Sequence, residues 1–367
     1  MITLTFDLDP EEIPESPRWK CQMTQLGATM ANNNVRRIFF AHGTFAGDDP
    51  LGINSLIGNL ERARGIQLFK TETLRKFTKH AFDNLVKDSG NFTVDYINSF
   101  GAAIQNDICC EPFVWSSGNN HMARLIGAVK LCNNLAEVSK SYRGNDRILL
   151  IGHSHAGQVF ALLTTLLENS EKAAELMTII NKSSDLDASI FDQNLTTIRK
   201  IKLDIVTFGT PIRYRWGKNE NYRLISVIND RGNNVDIDGL LYTRDGDYIQ
   251  QWGTEGTDLP QKNFSDLNKE LDNILLNKGH FSPSELKDEF IRKLEDKNRK
   301  EPLDYDGSNV TETYLVNYQD QGDSSLFERF LEFNGVPHCI KTLFGHGIYT
   351  RKKTMLLNTK HIVNNLY

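Results

Sequence analysis

Ser154 has the surroundings of a serine that acts as a nucleophile. It lies in Gly152-His-Ser-His-Ala156, between an apolar run at 147–151 and a longer apolar stretch at 156–167. The short run is typical of a buried strand and the longer one of a helix, so we expect Ser154 on the sharp turn between them. Gly152 and the small Ala156 leave room for that turn, which lifts the hydroxyl clear of the backbone above the helix N-terminus. A serine held in this way can attack a carbonyl carbon. The alternative is a serine that only caps the helix.

The elements that must position this serine alternate between strands and helices. Apolar runs predict strands at 35–41, 111–115, 147–151, 202–208, 222–228 and 312–318, and helical patterns lie within 53–87 and at 122–142, 156–167, 285–300 and 352–367. Continuous apolar strands between helices predict an α/β fold with a mostly parallel sheet and helices on both faces. Because ligands bind at the carboxyl ends of the strands in such sheets, the residues that follow each run are the candidates for a site.

The chain is long enough for one large domain with insertions. It has 367 residues, of which 39% are hydrophobic, enough for a large buried core. We predict an N-terminal extension at 1–34 and a single domain over 35–367, with polar insertions at about 168–200 and 239–305. The second insertion is expected to form a lid over the site or a charged surface excursion.

Composition excludes several classes of function. The 42 Lys and Arg residues against 47 Asp and Glu give a net charge of −5, which argues against general affinity for nucleic acid. There is no P-loop and no G-x-G-x-x-G motif, so no nucleotide cofactor is expected. No apolar run is long enough for a transmembrane helix, although transient contact with a membrane surface stays open. The sequence predicts no particular oligomeric state.

The cysteines and the N-terminus bear on the compartment. The five cysteines are an odd number without CxxC spacing, which indicates neither a disulfide framework nor a zinc site. The first residues lack the basic and apolar regions of a secretory signal. We therefore expect the cytoplasm, with export by a route that needs no cleavable signal as the alternative.

Four motifs along the chain resemble the α/β-hydrolase superfamily, and within it the bacterial lipases and esterases. Besides Gly152–Ala156, they are Phe39-Phe-Ala-His-Gly-Thr-Phe-Ala-Gly47, Thr207-Phe-Gly-Thr-Pro211 and Gly345-His-Gly-Ile-Tyr349. In that order they are similar to the oxyanion loop, the strand end after the nucleophile and the loop of the catalytic histidine. The resemblance covers about residues 35–360. It implies the α/β-hydrolase fold and a serine hydrolase that cleaves carboxylic esters, lipid esters among them, through an acyl-enzyme without metal or cofactor.

The resemblance also implies roles for particular residues. Ser154 would be the nucleophile, and the backbone N–H groups of Thr44 and His155 would form the oxyanion hole. The base should be a histidine, and the family order of serine, acid and histidine excludes those that precede the nucleophile. The histidines in the two loops already described, in the polar insertion and in the terminal helix are also set aside, which leaves His338 and His346. We favour His346, because it is flanked by glycines and follows the last predicted strand.

The acid and the substrate pocket are less sharply marked. The acid should follow the strand at 222–228, and Asp230 is the first choice, with Asp236 second. Lipases often carry an aspartate where this chain has Asn233. Trp115 and Phe45 are expected to line the substrate pocket, and Trp115 could equally be a core residue.

Two other functions stay open. Because Asn233 departs from the family pattern, the chain could be a non-catalytic binding protein on a hydrolase fold. The pair His153-x-His155 could instead begin the metal site of a metal-dependent hydrolase. Such a site would need further ligands at later strand ends, where this chain has no histidine.

Overall fold

The structure of the chain is a computed structural model. It describes residues 2–5, 13–43, 91–183, 186, 188–232, 246–253, 265–275, 310–318 and 343–367. Within these ranges the strands are β1 (Ile2–Thr5), β2 (Val35–Ala41), β3 (Cys109–Phe113), β4 (Arg147–His153), β5 (Lys202–Phe208), β6 (Tyr222–Asn229) and β7 (Val310–Asn317). The helices are α1 (Pro17–Asn32), α2 (Val94–Ile104), α3 (His121–Val138), α4 (Ala156–Leu167), α5 (Glu171–Lys182), α6 (Ala188–Ile198), α7 (Tyr248–Trp252), α8 (Ser265–Leu275) and α9 (Lys352–Leu366).

The described strands form one seven-stranded sheet in the order β1-β7-β6-β5-β4-β2-β3. Every neighbouring pair is parallel. The chain leaves β2 for β3 on one side and then returns to β4 on the other side of β2. The direction of winding therefore changes between β2 and β4, and a crevice at such a switch point is where open α/β sheets bind ligands.

Helices cover both faces of the sheet. Leu150 of β4 and Ile205 of β5 belong to the core under α3, α4, α5 and α6. Their neighbours Ile151 and Val206 belong to the opposite core, under α1, α2 and α9. Successive side chains of a strand point to opposite faces. A strand buried on both faces must therefore be apolar at nearly every position, which explains the continuous apolar runs of the sequence.

The predicted parallel sheet between two helical layers is confirmed, and the predicted bounds of β5 and α4 are those of the structure. The predictions of helices within 53–87 and at 285–300 lie outside the described residues. None of the described helices has both the length and the apolar content needed to cross a bilayer.

The described residues of the predicted N-terminal extension at 1–34 pack on the domain. Strand β1 pairs with β7 at the edge of the sheet, and Trp19, Met23 and Met30 of α1 are buried in the core. The predicted insertion at 168–200 also belongs to the domain, because α5 and α6 bury residues such as Leu176 and Phe191. Of the insertion at 239–305, the structure describes 246–253 and 265–275, which contain α7 and α8.

Candidate active site

Ser154 occupies a strained turn between β4 and α4. Its φ is +57°, in the left-handed region that costs a non-glycine residue roughly 1–2 kcal/mol. The surrounding backbone holds it there. Ser154 N donates to Phe208 O at 2.9 Å, and Thr210 Oγ1 donates to Ser154 O at 2.9 Å. Strain of this kind, retained at the carboxyl end of a central strand, is a feature of functional sites.

Small residues are needed on both sides of this turn. A Cβ added at Gly152 would lie 2.5 Å from Cε2 of Phe160, and one added at Gly157 would lie 2.2 Å from Oγ1 of Thr210. Ala156 is fully buried, with its methyl group accommodated in the core. The tight approach that excludes a side chain is therefore at residue 157, which explains why the motif tolerates alanine at 156.

The end of β2 lies beside the serine hydroxyl. A Cβ added at Gly43 would lie 2.5 Å from Ser154 Cβ and 3.0 Å from Ser154 Oγ. Trp115 is a core residue, the second of its two predicted placements, and its indole N–H donates to His42 O at 2.8 Å. Burial lowers the pKa of the His42 side chain. Thr44 and Phe45, which were predicted to contribute to the oxyanion hole and the pocket, lie outside the described residues.

His346 is paired with a buried carboxylate. Its Nδ1 lies 2.8 Å from Oδ2 of Asp247, and neither side chain has exposed surface. The carboxylate also accepts from Tyr349 Oη at Oδ2 (2.8 Å) and from Gln250 N at Oδ1 (2.9 Å), where Asp247 caps α7. A carboxylate accepts hydrogen bonds only, so Nδ1 of His346 is the donor in this contact, and Nε2 is the ring nitrogen that does not face Asp247.

Asn229 at the end of β6 ties the two loops of this pair together. Its amide Nδ2 donates to Gly345 O at 3.0 Å, and its backbone O accepts from Asp247 N at 2.9 Å. Gly345 has a φ of +81°, and a Cβ there would lie only 1.8 Å from Gly246 O. The glycine before His346 is therefore required by a close approach of two backbones.

His153 brings the serine turn against the histidine loop. Its Nε2 lies 3.0 Å from His346 O, and the centroids of the two imidazole rings are 4.4 Å apart. Ser154 is the next residue, so the two loops that carry Ser154 and His346 are in contact. Both side chains are fully buried, and Ser154 Oγ and His346 Nε2 have no hydrogen-bond partner within the described part of the chain.

The predicted acid is not the carboxylate that the structure places at His346. Asp230 forms a bridge with Gly246, and its Oδ1 accepts from Gly232 N at 2.8 Å. Asp247 takes the place predicted for Asp230, because Gly246 forms a bridge with Asp230 and Asp247 N donates to Asn229 O at the end of β6. The signal for Asp247 is its position as an N-cap, three residues before Gln250. Asp236, Asn233 and His338 lie outside the described residues.

The arrangement is suited to acyl transfer. An imidazole whose Nδ1–H is held by a carboxylate can accept a proton at Nε2 when it is neutral, and the hydroxyl of Ser154 lies in the adjoining loop without a hydrogen bond to this nitrogen. His155, the other predicted oxyanion residue, is the N-cap of α4.

Among the described residues, no three His, Cys, Asp or Glu side chains are grouped as a metal site would require. Comparison of the chain with protein-family models, curated proteins and solved structures finds no match.

Proposed function

We propose that this chain is a serine hydrolase of the α/β-hydrolase type that cleaves carboxylic esters, with lipid esters as the leading class. The observation that carries the proposal is the buried His346–Asp247 pair, held against His153 beside the strained Ser154. Its chain order supports the superfamily. The serine follows β4, the acid follows β6 and the histidine follows β7, which is the order of α/β-hydrolases.

The residues have distinct roles in the proposed reaction. His346 Nε2 takes the proton of Ser154 as its Oγ attacks the ester carbonyl, and the protonated imidazole then donates to the leaving alkoxide. Water activated by the same nitrogen releases the acyl group. Asp247 holds the productive tautomer and stabilises the imidazolium. The N–H of His155 and, by the family resemblance, that of Thr44 would stabilise the oxyanion.

Covalent labelling tests the proposal without knowledge of the natural substrate. A fluorophosphonate should label the wild-type chain at one residue, identified as Ser154 by peptide mass analysis. Ser154→Ala should abolish labelling and lower turnover of a panel of p-nitrophenyl esters by more than about 1,000-fold. Ser139→Ala is the matched control, since Ser139 is a buried serine at the end of α3 whose Oγ bonds only its own helix at Ala136 O.

The outcomes separate the proposal from its alternatives. Full esterase turnover in Ser154→Ala would overturn it. A folded wild-type chain that neither labels nor hydrolyses any ester would favour the binding protein. Turnover that a chelator removes would favour the metal-dependent hydrolase.

A further inference from the structure

Tyr349 binds the same carboxylate oxygen as the proposed base. Its hydroxyl lies 2.8 Å from Asp247 Oδ2, the oxygen that also faces His346 Nδ1. Asn229 N donates to this hydroxyl at 2.7 Å. Since the carboxylate can only accept and the amide can only donate, the phenol proton must point at Asp247.

We propose that Tyr349 is a positioning residue that sets how strongly Asp247 supports the protonated form of His346. The inference rests on the function proposed above. A hydrogen bond donated to a carboxylate stabilises its charge and makes it a weaker partner for an imidazolium. With Tyr349 in place, His346 gives up its proton at a lower pH and serves as a base over a wider range.

The surroundings keep the phenol in its donor form. Burial, together with the charge of Asp247, holds the pKa of Tyr349 well above its ordinary value. In the described part of the chain, the other titratable groups that face His346 or Tyr349 are His153 at the end of β4 and Tyr318 after β7. His153 Nε2 lies against His346 O and the Tyr318 hydroxyl donates to Asn358 Oδ1, whereas the Tyr349 hydroxyl donates to Asp247 itself, so removal of this hydroxyl changes the carboxylate directly.

Tyr349→Phe should move the pH profile of Ser154 labelling. Loss of the phenol leaves Asp247 more basic, so His346 stays protonated to a higher pH. The midpoint of the acid limb, in the plot of fluorophosphonate labelling rate against pH, should rise by about half a pH unit to one pH unit. The plateau rate should change less. A purely structural role for Tyr349 would lower the plateau and leave the limb in place.

Tyr318→Phe is the matched control. Tyr318 is equally buried, its ring meets that of Tyr349 edge-on at 5.5 Å, and its hydroxyl donates to Asn358 Oδ1 at 2.8 Å. Its removal disturbs the same aromatic cluster without touching Asp247. The midpoint pH of the acid limb in Tyr318→Phe should therefore equal that of the wild type.

A variant with the opposite sign covers the case in which Tyr349→Phe does not fold. Incorporation of 3-fluorotyrosine at position 349 keeps the ring and makes the hydroxyl a stronger donor. The midpoint of the acid limb should therefore move to a lower pH. An unchanged midpoint pH in the folded variants at 349 would overturn the inference about Tyr349 but not the proposed function. An equally large shift of the midpoint in Tyr318→Phe would do the same. A wild-type chain that is not labelled at Ser154 would overturn the proposed function, and this inference with it.

Discussion

Asp247 is a carboxylate without exposed surface whose two oxygens both face hydrogen-bond donors. Transfer of an ionised carboxylate from water to the protein interior is strongly unfavourable unless hydrogen bonds replace its hydration. Here Tyr349 and Gln250 supply two donors in addition to the imidazole of His346. The carboxylate therefore meets the histidine with its geometry already set, which is what an orienting acid requires.

If the proposed reaction takes place, Asp247→Asn should nearly abolish ester turnover while Asp230→Asn should not. The amide has nearly the shape of the carboxylate, but with its oxygen held by Gln250 N its NH₂ group faces His346 Nδ1, and a neutral amide stabilises an imidazolium less than a carboxylate does. The expected loss in kcat is about 10⁴-fold. Asp230 bonds a backbone N–H two residues on, so its amide variant should keep esterase turnover within a few-fold. Ester turnover with both variants measures this, and equal losses would contradict the assignment of Asp247.

The sequence carries a local signal for the roles of Ser154 and His346, whereas its local signal for Asp247 marks only a helix cap. Ser154 lies between an apolar strand and an apolar helix, and His346 lies between two glycines, so neighbours in the chain mark both. The role of Asp247 depends on how the chain returns to β6 after residue 232. That return is set by tertiary contacts, such as the bridge of Gly246 with Asp230, and local spacing does not encode it.

At the scale of elements, the turn after β4 depends on the fit between strand and helix. Gly152, the sixth residue of β4, faces the ring of Phe160 in the second turn of α4. This contact fixes how closely the helix approaches the strand end. It therefore also sets the position of the serine between them.

Gly152→Ala should strain this contact, and a smaller residue at 160 should relieve it. The added methyl would lie 2.5 Å from Cε2 of Phe160, so we expect a loss of about 1–3 kcal/mol in unfolding free energy, together with slower labelling of Ser154. Leucine at 160 removes the outer ring atoms, so Gly152→Ala with Phe160→Leu should lose less than the sum of the single changes. Urea denaturation measures this cycle.

Gly144→Ala is the control for this series. A Cβ at Gly144 would have no neighbour within 4 Å, so its effect should be within about 0.5 kcal/mol. Additive losses at 152 and 160 would show that the two residues are not coupled.

The elements that the sequence reveals are those buried on both sides. Strands β4 and β5 are mostly apolar, and the predicted bounds of β5 are those of the structure, while β4 continues two residues past its predicted end at 151. Helix α1 was missed, because its polar residues conceal a narrow stripe of Trp19, Met23 and Met30 at helical spacing. Strand β1 has four residues, too few for a pattern, and its place beside β7 depends on a partner more than 300 residues away.

At the scale of the whole molecule, an ion network around the buried Asp204 lies at the end of the sheet opposite the candidate site. Asp204 in β5 accepts two hydrogen bonds from Arg147 of β4 and one from Arg223 of β6. The hydroxyl of Tyr367, which follows α9, donates to the same carboxylate at 2.8 Å. This network joins three central strands to the end of α9, so it should contribute to stability without touching the reaction.

Asp204→Asn should therefore destabilise the chain in a pH-dependent way while leaving the chemistry intact. Burial alone would raise the pKa of Asp204, but the hydrogen bonds and charges of Arg147 and Arg223 outweigh it and hold the pKa below its ordinary value. Its contribution is then fully present above the pKa of the unfolded chain, about 4, and is lost as the pH falls through the lower folded value. Urea denaturation at pH 7 should show a loss of about 3–5 kcal/mol in unfolding free energy, which shrinks below pH ~4, while folded protein still labels at Ser154.

Asp146→Asn is the control. It removes the carboxylate that pairs with the exposed Arg36, and it should lower the unfolding free energy by less than about 1 kcal/mol. A loss in Asp204→Asn that stays constant into acid would contradict an ionised carboxylate at this position.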